Sequence, residues 1–119
     1  MSVPFFKGIE EFNKGCFFEA HDAWEELWVG ARGEERLFYQ GLIHAASGFY
    51  HLGNKNYRGA CSQFDKALLK LKRYLPAYHN VDTATLVECL ETWLYDTEHL
   101  KADRAGTFDA EKIPKIHLL

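Results

Sequence analysis

Two series of polar residues stand on predicted helices that are otherwise apolar, and their residue types are those that bind metals or transfer protons. His21 and Glu25 are four residues apart, and because a helix turns about 100° per residue, both side chains share one face. Trp24 and Trp28 lie on the same face. An unpaired carboxylate among aromatic rings is costly to bury, so we expect Glu25 to have a partner or an opening to water.

The second series follows on the next predicted helix, with spacings of four, three and four: Gln40, His44, Ser47 and His51. Gly41 and Gly48 lie beside it, and such small residues permit another helix to approach closely. If the helix that carries His21 and Glu25 is this neighbour, the two residues face Gln40 and His51. The series stands opposite the apolar stripe of its own helix, so we predict that His44 is exposed to solvent.

Imidazole, carboxylate and amide groups between two helices are typical of metal centres in helical bundles. The candidate metal ligands are His21, Glu25 and His51. In an enzyme, Glu25 would be the general base and Gln40 would orient the substrate. In the structural alternative, His21 and Glu25 hydrogen-bond each other and Gln40 or Arg36, which fixes the register of the helical hairpin. The spacing leaves both interpretations open.

Composition limits the class of protein more than it limits the function. The chain has 119 residues, of which 47% are hydrophobic, and these proportions predict a single domain over residues 1–119. A formal net charge of −3 creates no strong field, so we expect neither nucleic acid nor membrane as a partner. The three cysteines form no Cys-x-x-Cys pair and are interpreted as buried thiols in a reducing cytoplasm. The first residues lack the pattern of a signal peptide.

The apolar periodicity predicts five helices and a tail. The predicted helices span about residues 4–13, 16–29, 34–52, 57–75 and 85–100. Asp82 or Thr85 could cap the last of them, and Thr85 with Glu88 matches a capping box. From Gly106 the chain is too apolar for a free tail, so we expect this segment to lie extended over the bundle.

The chain also matches itself at an offset of 40 residues, which indicates two related helical hairpins. The offset aligns Gly8 with Gly48 and Trp24 with Phe64. The second hairpin resembles a tetratricopeptide repeat, in which small residues permit close helix approach and aromatic rings fill the gaps, although the full repeat signature is not present. The predicted fold class is therefore all-α: a bundle of two repeat-like hairpins, a C-terminal helix and an extended tail.

A family resemblance rests on longer segments. The runs over residues 12–28 and 38–43, together with His51 and the Arg-Gly-Ala step at 58–60, resemble the bacterial and archaeal domain-of-unknown-function 309 family. The resemblance covers about residues 9–75, and Asp22 stands where the family pattern has a glutamate. It implies an all-helical, tetratricopeptide-like bundle and brings no known reaction. The residues shared with the family are candidates for a binding site: His21, Glu25, Trp28, Gln40 and His51.

Together these observations favour a small cytoplasmic binding or scaffolding module for a protein or another ligand, with a protein partner or a second copy of the chain as the candidate partners. The alternative is a metal-dependent, hydrolase-like enzyme that uses the histidine and glutamate cluster between the second and third helices. No cofactor is specified by the sequence, and a divalent metal is the one candidate.

Overall fold

A computed structural model describes residues 3–102 and 115–119 of the chain. These residues confirm the predicted all-α bundle. They form five α-helices: α1 (Val3–Asn13), α2 (Phe17–Gly30), α3 (Gly33–Gly53), α4 (Tyr57–Leu71) and α5 (Thr83–Ala102). Each helix packs on the next one along the chain. The core between them is rich in buried aromatic side chains, which include Phe5, Phe12, Trp24, Phe38, Phe49 and Phe64.

The largest differences from the predicted boundaries are at the end of α4 and the start of α5. The α-helix ends at Leu71 and continues as a 3₁₀ turn over Lys72–Tyr74 before Pro76. Of the two alternative caps of α5, the structure has Asp82, whose carboxylate accepts hydrogen bonds from the backbone N–H (3.1 Å) and the hydroxyl (2.8 Å) of Thr85. These bonds hold the pKa of Asp82 below its usual value.

The offset of 40 residues corresponds to a repeated local structure. The turn before α2 and the turn before α4 carry equivalent bonds, because the N–H of Cys16 donates to the carbonyl of Glu11 at 2.8 Å and that of Asn56 to His51 at 2.9 Å. The residues before Cys16 and Asn56 both have a positive φ, 83° at Gly15 and 60° at Lys55. The two turns therefore have the same backbone form.

Glycine and aromatic side chains also pack in the same way in both hairpins. A Cβ atom at Gly8 would overlap the indole of Trp24, and one at Gly48 would overlap the ring of Phe64. The sequence analysis left open which helix approaches Gly41 and Gly48. Helix α4 fills this space, and a Cβ atom at Gly41 would lie 2.8 Å from Leu71. The glycines are needed because α4 approaches α3 too closely for larger side chains.

The end of the chain confirms the extended tail over residues 115–119. Ile116 is buried, and its backbone N–H (2.7 Å) and carbonyl (3.0 Å) both bond the side-chain amide of Asn13. Leu118 forms a β-bridge with Val81. The predicted tail also includes Phe108 and Ile113, which lie outside the described residues.

Two further expectations concern the cysteines and the membrane. Cys16, Cys61 and Cys89 all lie in the described part of the chain and form no disulfide. Cys61 is buried as predicted, whereas Cys16 and Cys89 are partly exposed.

None of the helices described between residues 3 and 102 combines the length and the apolar character needed to cross a bilayer.

Candidate functional site

Helices α2 and α3 run antiparallel, because the start of α2 contacts the end of α3 and the end of α2 contacts the start of α3. Phe18 lies 5.8 Å from Tyr50 between ring centroids, and the Arg36 guanidinium lies 4.2 Å from the centre of the Trp28 ring. The side chains along this contact form one face of the bundle: Phe18, His21, Glu25 and Trp28 of α2, with Arg36 and Tyr50 of α3. We call it the α2–α3 face.

His21 and Glu25 lie side by side, as their spacing predicts, but the predicted hydrogen bond is not formed, because Nδ1 of His21 is buried without a hydrogen-bond partner in the described part of the chain. The Nδ1 atom of His21 lies 3.3 Å from a carboxylate oxygen of Glu25 and 3.6 Å from one of Asp22. Half of the Glu25 side chain (50%) and a third of the His21 side chain (32%) are exposed. A cluster of His21 and Glu25 buried between the helices is therefore not formed at Glu25, whose carboxylate is open to water, one of the two expected alternatives.

The predicted metal ligands are only partly together. Among the residues that the structure describes, the ligand atoms of His21, Asp22 and Glu25 lie within 4.8 Å of one another, and His51 is not part of this group. His51 lies in the last turn of α3, where its Nδ1 atom is 3.4 Å from the side-chain amide nitrogen of Asn56. The third residue of this group is Asp22, which follows His21 on α2.

The remaining predicted residues, Gln40 and Trp28, are half-buried. Within residues 3–102, no hydrogen bond joins Gln40 to His21 or Glu25. Arg36 stacks on the Trp28 ring instead of pairing with Glu25. The indole N–H of Trp28 is buried without a hydrogen-bond partner in the described part of the chain. The structural alternative therefore keeps only the contact between His21 and Glu25.

His44 is half-buried, which corrects the prediction that it is exposed. Its Nδ1 atom lies 2.7 Å from the side-chain oxygen of Gln63 on α4. The close approach of α4 over Gly41 and Gly48 covers this side of α3. Burial lowers the pKa of His44, and the positive charges of Lys70 and Lys66 lower it further, while the bond to Gln63 acts in the opposite direction.

This pKa shift predicts a stability that depends on pH. Because the pKa of folded His44 lies below the unfolded value of 6.5, the unfolded chain binds the proton more readily as the pH falls below 6.5. Lowering the pH from about 7 to about 5 should therefore reduce the free energy of unfolding more in the wild type than in His44→Gln. Glutamine can still bond Gln63. Urea unfolding at each pH measures the difference, with His99→Gln on the exposed surface of α5 as the control. Equal losses in wild type and His44→Gln would contradict the prediction.

One feature of the α2–α3 face was missed by the sequence analysis. Phe18 and Tyr50 are 52% and 42% exposed and contact each other. Phe18 also stacks on His21 (6.5 Å between centroids), and Tyr50 contacts His51 (5.9 Å). These four rings form a continuous row that we call the aromatic strip. The helical spacing of the aromatics was a signal, but it indicates core as readily as surface.

The described residues thus form an all-α bundle with aromatic, imidazole and carboxylate groups clustered on one face. The model of the family described as "Domain of unknown function (DUF309)" matches residues 5–62. This segment contains most of α1, all of α2 and α3 and the start of α4, with every predicted site residue. The match confirms the resemblance to the DUF309 family over this segment, which is 58 of the 119 residues. A comparison with curated proteins gives no significant match.

Proposed function

We propose that this protein is a binding module that recognises a protein partner through the aromatic strip. The observation that carries the proposal is the exposure of Phe18 and Tyr50 in ring contact with each other on two packed helices. Large aromatic rings left in water are typical of protein interfaces, because they bury much area and lose little conformational freedom on binding. The packed helices hold both rings in place before the partner arrives.

The polar groups beside the strip fit the same function. His21 and His51 lie at its two ends, and the Glu25 carboxylate is half exposed beside His21. Such groups give an interface direction and specificity around an aromatic centre. Gln40 and Trp28 extend the proposed surface along the two helices. The partner is either another protein or a second copy of this chain.

The proposed acting unit is one domain over residues 1–119 in a reducing cytoplasm. The support for a tetratricopeptide-like arrangement is the repeated turn and the repeated glycine–aromatic packing of the two hairpins. Stacked helical hairpins of this kind present extended faces to partners.

A second candidate function, the metal-dependent hydrolase, is favoured by one observation. The ligand atoms of His21, Asp22 and Glu25 lie within 4.8 Å of one another. These residues could hold a divalent ion, which would polarise a substrate or activate water. Purified, untagged protein would then keep about one equivalent of a transition metal, and His21→Ala would lose it. Metal-free wild type would remove this candidate.

The binding proposal predicts that the strip is dispensable for folding. Replacing Phe18 and Tyr50 together by serine should lower the free energy of unfolding by less than about 1 kcal/mol, because both rings are already half in water. The matched control is Phe17→Ser, since Phe17 packs on Phe12 and Phe49 and should cost about 3 kcal/mol. Urea unfolding compares them. A loss in the double variant as large as that of Phe17→Ser would assign the strip to folding.

A further inference from the structure

A concave site lies on the edge of the α2–α3 hairpin away from the aromatic strip. The cavity has a volume of about 410 Å³ and lies between the end of α2, the start of α3 and the turn before α5. This volume is within the range of small-molecule sites. Its apolar wall includes Leu27 and Ala31, and its polar wall consists of Glu26, Glu35, Tyr39 and His79.

A tight turn places His79 at this cavity. Tyr78 and Val81 exchange two backbone hydrogen bonds, of 3.2 and 2.8 Å, and the two central residues have positive φ values, 48° at His79 and 62° at Asn80. These are the features of a type I′ turn. The imidazole packs on the rings of Tyr78 (4.2 Å between centroids) and Phe38 (6.1 Å), which fix its position.

The polar groups of the cavity leave one atom without a partner. The Tyr39 hydroxyl donates to one oxygen of Glu35 at 2.7 Å, and burial raises the pKa of Tyr39, so the phenol keeps its proton. The other Glu35 oxygen lies 3.9 Å from Nε2 of His79. That nitrogen is buried and has no hydrogen-bond partner in the described part of the chain. Buried polar atoms are almost always hydrogen-bonded, so a donor contributed by a ligand in the adjoining cavity is one explanation for this exception.

The charges of the lining select the class of that partner. Two carboxylates line the cavity, and no lysine or arginine is among the described residues that do so, which favours a cation over an anion. A divalent metal fits less well, because the described residues that group their ligand atoms within 4.8 Å are His21, Asp22 and Glu25 on the other side of α2. A primary ammonium has three N–H donors and tolerates wider spacing.

We propose that this cavity binds a small primary alkylamine. The ammonium group donates to the free oxygen of Glu35, to Nε2 of His79 and to Glu26, while the alkyl chain lies against Leu27 and Ala31. The cavity is distinct from the aromatic strip, so a failure of the protein-binding proposal would not affect the proposed amine binding.

The test is a titration of the ¹⁵N-labelled protein with n-butylamine, followed by NMR, with n-butanol and butyrate as neutral and anionic matches. Butylamine should shift the amide signals of Gly30 and Ala31 with saturation in the millimolar range or below, and the other two compounds should not. Glu35→Gln keeps an acceptor for Tyr39 and should weaken binding by about tenfold or more.

The control is Glu34→Gln, which removes the same charge from the neighbouring residue, whose carboxylate pairs with Arg73 at 2.9 Å instead. It should change the affinity by less than about twofold. His79→Asn, which tolerates the positive φ, should also weaken binding. The proposal is overturned if butylamine gives no saturable shift at Gly30 and Ala31, if butanol binds as well, or if Glu35→Gln binds like the wild type.

Discussion

Replacing Trp24 by alanine should lower the free energy of unfolding by about 3–5 kcal/mol. The indole is fully buried, contacts Phe12 at 6.0 Å between ring centroids, and closes over Gly8 of the facing helix. Its N–H donates to the carbonyl of Phe5 at 3.2 Å. Truncation would remove this bond and leave a large cavity between α1 and α2. Because a domain of this size is stable by about 5–15 kcal/mol, much of the stability depends on this residue.

Urea unfolding followed by circular dichroism measures the loss, since far-ultraviolet signal reports the helices directly. Trp24→Phe is the matched control, because phenylalanine keeps most of the buried ring and loses only the hydrogen bond and part of the volume. We expect its cost to be less than half that of alanine. A loss below about 1 kcal/mol for Trp24→Ala would contradict the packing of α1 on α2 described above.

The helices could be predicted because each local signal agrees with the tertiary packing. Proline, glycine and the spacing of apolar residues mark the ends of the helices from α1 to α4. The aligned pairs, Gly8 with Trp24 and Gly48 with Phe64, correspond to contacts in the structure. The start of α5 was less certain, because Asp82 and Thr85 are both good capping residues. The choice of Asp82 follows from the hydrogen bonds that its carboxylate makes to Thr85, which a sequence pattern does not distinguish.

The candidate site was harder to predict, because its geometry depends on which helix covers which face. The spacing of His21 and Glu25 correctly indicates contact between them. It does not indicate that Glu25 is exposed or that α4 covers His44. The aromatic strip joins residues of two helices, and His79 reaches its cavity through a turn. No periodicity within one helix carries that information.

The largest functional effect is expected for a photocrosslinker at Tyr50. This position has a half-exposed ring in the middle of the aromatic strip, so p-benzoyl-phenylalanine placed there keeps an aromatic side chain and points to any partner that the strip binds. Tyr95 on α5 is the matched control, because it is also an exposed tyrosine (65%) on a helix but lies outside the strip. A crosslinker at position 95 therefore reports proteins that contact the chain without binding the aromatic strip.

Photocrosslinking in cells of the source organism, with the label at position 50 or at position 95, tests the proposed binding function most directly. We predict a discrete adduct at position 50, containing either one other protein or a second copy of this chain, that is not formed at position 95 and is lost when Phe18 is replaced by serine. The same adducts at both positions, or no adduct at position 50 in a folded protein, would contradict the proposal that this face binds a protein partner.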